Sequence, residues 1–115
     1  MSVALGGTSI PILQDWRSRE CDYGESNGHT REVVHGDRLA RLRAPYAGGE
    51  SWSEAVERVA GLLRDLPTRW EGQRVLVVGH VATRWALDHH LTGKSLATLA
   101  EETFAWQPGW EYTLE

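Results

Sequence analysis

Apolar positions along the chain change period twice, and those changes set its expected elements. Trp52, Ala55, Val56, Val59, Leu63 and Leu66 recur at helical spacing behind Ser51 and Glu54, a serine–glutamate pair that reads as a capping box. A helix is expected from Ser51, with Pro67 ending it. Residues 74–79 then run Arg-Val-Leu-Val-Val-Gly, β-branched and without alternation, the pattern of a central parallel strand covered on both faces. A second helix follows with Ala82, Trp85, Ala86 and His89 on one side and a stop near Gly93, and Ser95 caps a shorter helix through about Glu102. Residues 110–114 close the chain as a strand, and residues 10–13 form a brief edge strand interrupted by Pro11. Between Asp15 and Gly49 the sequence is polar, rich in arginine and glycine, and without sustained period apart from a short helix around Arg38 to Leu42. A stretch of that length in a compact domain suits a site wall or lid.

At 115 residues, one compact domain spanning 1–115 is expected. Apolar and charged fractions are those of an ordinary soluble protein. Twelve basic residues are scattered among sixteen acidic ones for a net charge of −4, which argues against nucleic acid as a partner. Residues 1–10 contain no basic residue and no apolar run of membrane length, so neither a membrane nor an export signal is expected. Cys21 is the only cysteine, which excludes an internal disulfide and favours a reducing, cytoplasmic setting. Adjacent His89 and His90 point to different faces of a helix, and no Cys/His spacing builds a zinc site, so no metal or cofactor is expected. Six tryptophans exceed what one small core holds, and some should line a cleft or an interface.

Two segments carry candidate chemistry. His80 stands where the apolar run 75–78 passes through Gly79 into a helix, the edge at which α/β sheets bind ligands, and the helix starting at Val81 offers free N–H groups to an anion. Residues 19–28, Arg-Glu-Cys-Asp-Tyr-Gly-Glu-Ser-Asn-Gly, form a polar loop whose carboxylates suit a general acid.

The Glu-x-x-Tyr-Gly stretch from Glu20, the Gly-Gly-Glu-Ser helix start at 48–51 and the Gly-His at 79–80 resemble, in order and spacing, the histidine phosphatases of the phosphoglycerate mutase branch. The resemblance implies an α/β fold, a layered, mostly parallel sheet flanked by helices, lacking the family's first strand and helix. It makes Glu20 the acid that protonates the leaving oxygen, His80 the second histidine of the phosphate pocket, Tyr23 a substrate contact, and Val81 a substrate-side residue where many relatives have glycine. The family's nucleophile lies in an Arg-His-Gly motif. Here the only partial echo is Val33-Val34-His35-Gly36, and His35 is read as a loop histidine.

The functional expectation is a protein acting on small phosphomonoesters, or descended from such enzymes, with the nucleophile segment absent and turnover weak or lost. The alternatives are an acid/base enzyme using Glu20 and His80 on a non-phosphorylated molecule, and a non-catalytic anion-binding module. A small-molecule substrate and a homodimer that completes the sheet are the expected partners.

Overall fold

The structure, a computed structural model, describes residues 12–28, 36, 38–102 and 107–114. Among the described residues, two short 3-10 turns, Trp16–Ser18 and Gly24–Ser26, precede the helices α1 (Trp52–Arg69), α2 (Val81–Thr92) and α3 (Leu96–Glu101).

α1 begins as its sequence dictates. Ser51 Oγ accepts from the Glu54 amide at 3.1 Å and the Glu54 carboxylate accepts from the Ser51 amide at 3.0 Å, which completes the capping box. Its buried stripe of Trp52, Ala55, Val56, Val59, Ala60 and Leu63 packs against Ala82, Trp85 and Ala86 of α2. The helix does not stop at Pro67 but continues to Arg69. The Pro67 ring forfeits one backbone bond near the helix end, and the Trp70 amide still reaches the Leu66 carbonyl at 2.8 Å. α2 ends at Gly93, whose φ of 80° is left-handed, and α3 starts on Ser95, whose Oγ accepts from the Thr98 amide at 3.2 Å.

The expected sheet is not there. Among the described residues no strand forms, and 74–79 have neither regular structure nor ladder partners there. A β-branched run becomes a strand only when a neighbour takes its N–H and C=O groups. Lacking one, Val75, Leu76 and Val78 lie open to solvent, Leu76 at 73% exposure. The tail 107–114 likewise forms no strand, Ile12 and Leu13 are not in a strand, and the rest of that expected edge strand lies outside the described residues. The layered, mostly parallel sheet is therefore corrected to a helical arrangement built on the α1–α2 contact. Around Arg38 to Leu42 the chain makes turns, with Arg41 N–H to Arg38 O at 3.0 Å, in place of the expected short helix.

The polar stretch is ordered where it meets α1. Glu50 N–H donates to Asp22 O at 2.8 Å and Glu25 N–H to Ala47 O at 2.8 Å, stitching the loop around Glu20 to the loop before α1. The two backbones approach so closely that a Cβ on Gly49 would sit 2.3 Å from Asp22 O, which only glycine avoids.

Candidate functional site

The site is organised by a residue that the sequence pattern passed over. Arg58 projects from α1 into the polar loop with five hydrogen bonds. Two go to the Glu50 carboxylate, at 2.8 and 3.0 Å, and three go to the carbonyls of Arg17, Arg19 and Glu20, at 2.9, 2.8 and 3.1 Å. A guanidinium fork has donors in fixed directions, so one Arg58 fixes the path of 17–20 and thereby the backbone that carries Glu20. Burial pushes the Glu50 carboxyl up, but the Arg58 fork and the Asp22 amide outweigh it and hold the group below its ordinary value. The one signal for Arg58 in the sequence is a charge beside the apolar stripe of α1, between Val56 and Val59.

So positioned, Glu20 reaches the start of α2. Its Oε1 accepts from its neighbour Cys21 N–H at 3.0 Å and from Ala82 N–H at 3.3 Å, across 62 positions of sequence. Ala82 is the second residue of the helix that His80 caps, so the Glu20 carboxylate reaches the helix end at which His80 stands. The free N–H groups expected there for an anion are thus shared with the protein's own carboxylate. Oε2 of Glu20 accepts no hydrogen bond from the described residues.

His80 is exposed, and its backbone is fixed from the helix side. Its N–H donates to Thr83 Oγ1 at 3.3 Å and its carbonyl accepts from the Thr83 and Arg84 amides at 3.0 and 3.3 Å. Gly79 allows this turn, because a Cβ there would meet Thr83 Oγ1 at 2.3 Å.

A cavity of about 420 Å³ opens beside His80 and Val81, walled by Arg38, Arg84, Trp85 and Asp88, the end of α3, and Gln107, Pro108 and Trp110 of the tail. That size suits a small molecule. Glu20 and Tyr23 are not in its lining; Glu20 reaches the α2 start from the polar loop. Tyr23 packs edge-on against Tyr46 and Trp52, with centroids 5.2 and 6.0 Å apart. Burial pushes its hydroxyl up to about 12, the Glu20 charge adds to the rise, and the Arg38 charge opposes it, so both charges act on the Tyr23 hydroxyl. Cys21 is buried, and burial first, then the Glu50 and Glu20 charges, push its thiol up to about 12, so it stays protonated and unreactive.

Arg84 is half-buried in the cavity wall, over the Trp110 ring at 4.5 Å and 3.6 Å from the Asp88 carboxylate. His89 and His90 point elsewhere, His89 Nδ1 to Lys94 O at 2.7 Å and His90 to Glu57 at 3.4 Å. His35 and Trp106 lie outside the described residues. Trp52 and Trp85 are core, Trp110 lines the cavity and Trp16 is exposed. Among the described residues no three His, Cys, Asp or Glu side chains converge to hold a metal ion, and no helix is long and apolar enough to cross a membrane.

No curated protein matches the sequence. Among solved structures, YhfR of Bacillus stearothermophilus superposes with a TM-score of 0.74 at 26% identity over 91% of this chain. The match takes in 56% of the YhfR chain, so this chain spans just over half the length of that protein. The histidine phosphatase superfamily (branch 1) pattern matches residues 2–106, and the chain belongs to that superfamily.

Proposed function

We propose that this chain binds small phosphomonoesters at the start of α2, with His80 contacting the phosphoryl group and Glu20 protonating the departing oxygen. The observation that carries the reading is the Glu20–Ala82 hydrogen bond, which brings a carboxylate from the polar loop to the helix end occupied by His80. With Oε1 pinned by two amides, Oε2 is the oxygen available for proton transfer. The imidazole at the open edge of the cavity supplies a donor to a phosphoryl oxygen, and Val81 and the first turn of α2 border the same group. Tyr23 stands behind Glu20 as a second contact on the loop side.

The test compares p-nitrophenyl phosphate with phenyl phosphate, whose leaving oxygen is far more basic and needs the proton more. Glu20→Gln is expected to slow phenyl phosphate hydrolysis by about 10²-fold or more, and the p-nitrophenyl ester by much less. Fast hydrolysis of both esters that neither Glu20→Gln nor His80→Ala alters would place the chemistry elsewhere.

A further inference from the structure

The cavity beside His80 holds one cation for which the described residues provide no counter-charge. The Arg38 guanidinium lies over the rings of Trp52 and Trp85, 5.2 and 5.4 Å from their centroids. Those rings lean on each other at 4.5 Å, and Trp52 is fully buried, with its indole N–H donating to Tyr46 Oη at 3.1 Å. The platform beneath Arg38 is therefore rigid. Its Nε is buried with no hydrogen-bond partner, and no carboxylate among the described residues pairs with it.

The acids nearby are already engaged. Asp88 accepts from Tyr112 Oη at 2.6 Å and faces Arg84 at 3.6 Å, while Glu102 is paired with Lys94 at 2.8 Å. A desolvated donor left without an acceptor is costly, and a guanidinium seated over aromatic rings still has N–H donors to offer an anion. The group that fits such a fork is a planar or tetrahedral oxyanion, bound through two parallel N–H···O bonds.

We infer that Arg38 is the residue that holds the phosphoryl group in this cavity, an oxyanion clamp seated on the Trp52–Trp85 platform. The inference deepens the proposed function, since it places that group between Arg38 and His80, but it concerns binding and needs no turnover. Arg84, already shared by Trp110 and Asp88, lies further along the same wall and is not the primary clamp.

The experiment titrates the isotope-labelled chain with inorganic phosphate and, in a second arm, with phenylphosphonate, following the indole N–H resonance of Trp85. The unaltered chain is expected to show saturable shifts in both arms, with Arg38→Gln weakening both by about tenfold or more. Arg38→Lys should recover part of the loss, because a point charge keeps attraction but not the fork. Loss in the phosphonate arm alone would assign Arg38 to the organic part of the ligand and overturn the oxyanion assignment. Equal affinity in Arg38→Gln and the unaltered chain, or no saturable shift in the unaltered chain, would overturn it too. Thermal unfolding checks that each variant remains folded, and Arg38→Lys carries the comparison if Arg38→Gln does not. Because the readout is binding without turnover, its failure is distinct from failure of the Glu20 acid role, which the leaving-group comparison reads.

Discussion

At the scale of single residues, the account turns on Arg58 and Gly79. The Arg58 side chain is 6% exposed and Glu50 17%, so this bidentate pair is shielded from water, unlike a surface ion pair. Arg58→Ala would strand a buried carboxylate and three carbonyls, and should cost about 3–5 kcal/mol in denaturant unfolding. Arg58→Lys should recover only part of this. Because the folded Glu50 carboxyl lies below its ordinary value, its contribution is fully present above the ordinary carboxylate range and is lost as pH falls through the folded value. Melting temperature followed from about pH 7 to pH 3 should show that loss, and Glu50→Gln should flatten it. For Gly79, the added methyl of Gly79→Ala runs into Thr83 Oγ1, so it should destabilise by about 1–3 kcal/mol. Combining it with Thr83→Ala should restore part of the loss, and simple additivity in that double-mutant cycle would refute the clash. Glu20, Tyr23 and His80 stand out in the sequence because their neighbours form recognisable strings. Arg58 and Arg38 do not, since their partners lie in distant segments or on aromatic faces and leave no local pattern.

At the scale of elements, the helices were legible and the strands were not, for one physical reason. A helix closes its hydrogen bonds within its own segment, so capping residues and an apolar stripe suffice to identify α1, α2 and α3. A strand is completed by a neighbour, and 75–78 carry strand composition without one among the described residues. The tail shows the complementary case. It forms no ladder with the described residues yet is tied to α2 by the Tyr112–Asp88 hydrogen bond and by Trp110 against Arg84. Burial first, and then that hydrogen bond to Asp88, push the Tyr112 hydroxyl up to about 12. A folded value above the unfolded one means that this stabilisation is present below the ordinary tyrosine range and is lost as pH rises through the folded value. Besides that of Tyr23, tyrosinate absorbance should show a late-titrating component from the tail. Its disappearance in Tyr112→Phe, together with a more solvent-exposed Trp110 fluorescence, would identify the group, and unchanged absorbance and emission would argue against the tie.

At the scale of the whole molecule, the open strip of Val75, Leu76 and Val78 leads directly into Gly79 and His80. An exposed apolar strip whose backbone has no partner among the described residues invites a second chain. We propose that two copies bury it against each other. Light scattering on a sizing column should then give twice 12.9 kDa, with Leu76→Arg shifting the mass toward the monomer. A stable monomer for the unaltered chain would remove the dimer from the account. The central claim is that Glu20 and His80 serve one phosphoryl group at the start of α2. Its most direct test is a titration of the isotope-labelled chain with phenylphosphonate, a phosphomonoester mimic that cannot be hydrolysed, watching the His80 ring and the Ala82 amide that Glu20 contacts. Both signals should move on a single saturation curve. A ligand that saturates the His80 ring while the Ala82 amide stays still, or that moves neither, would contradict the account.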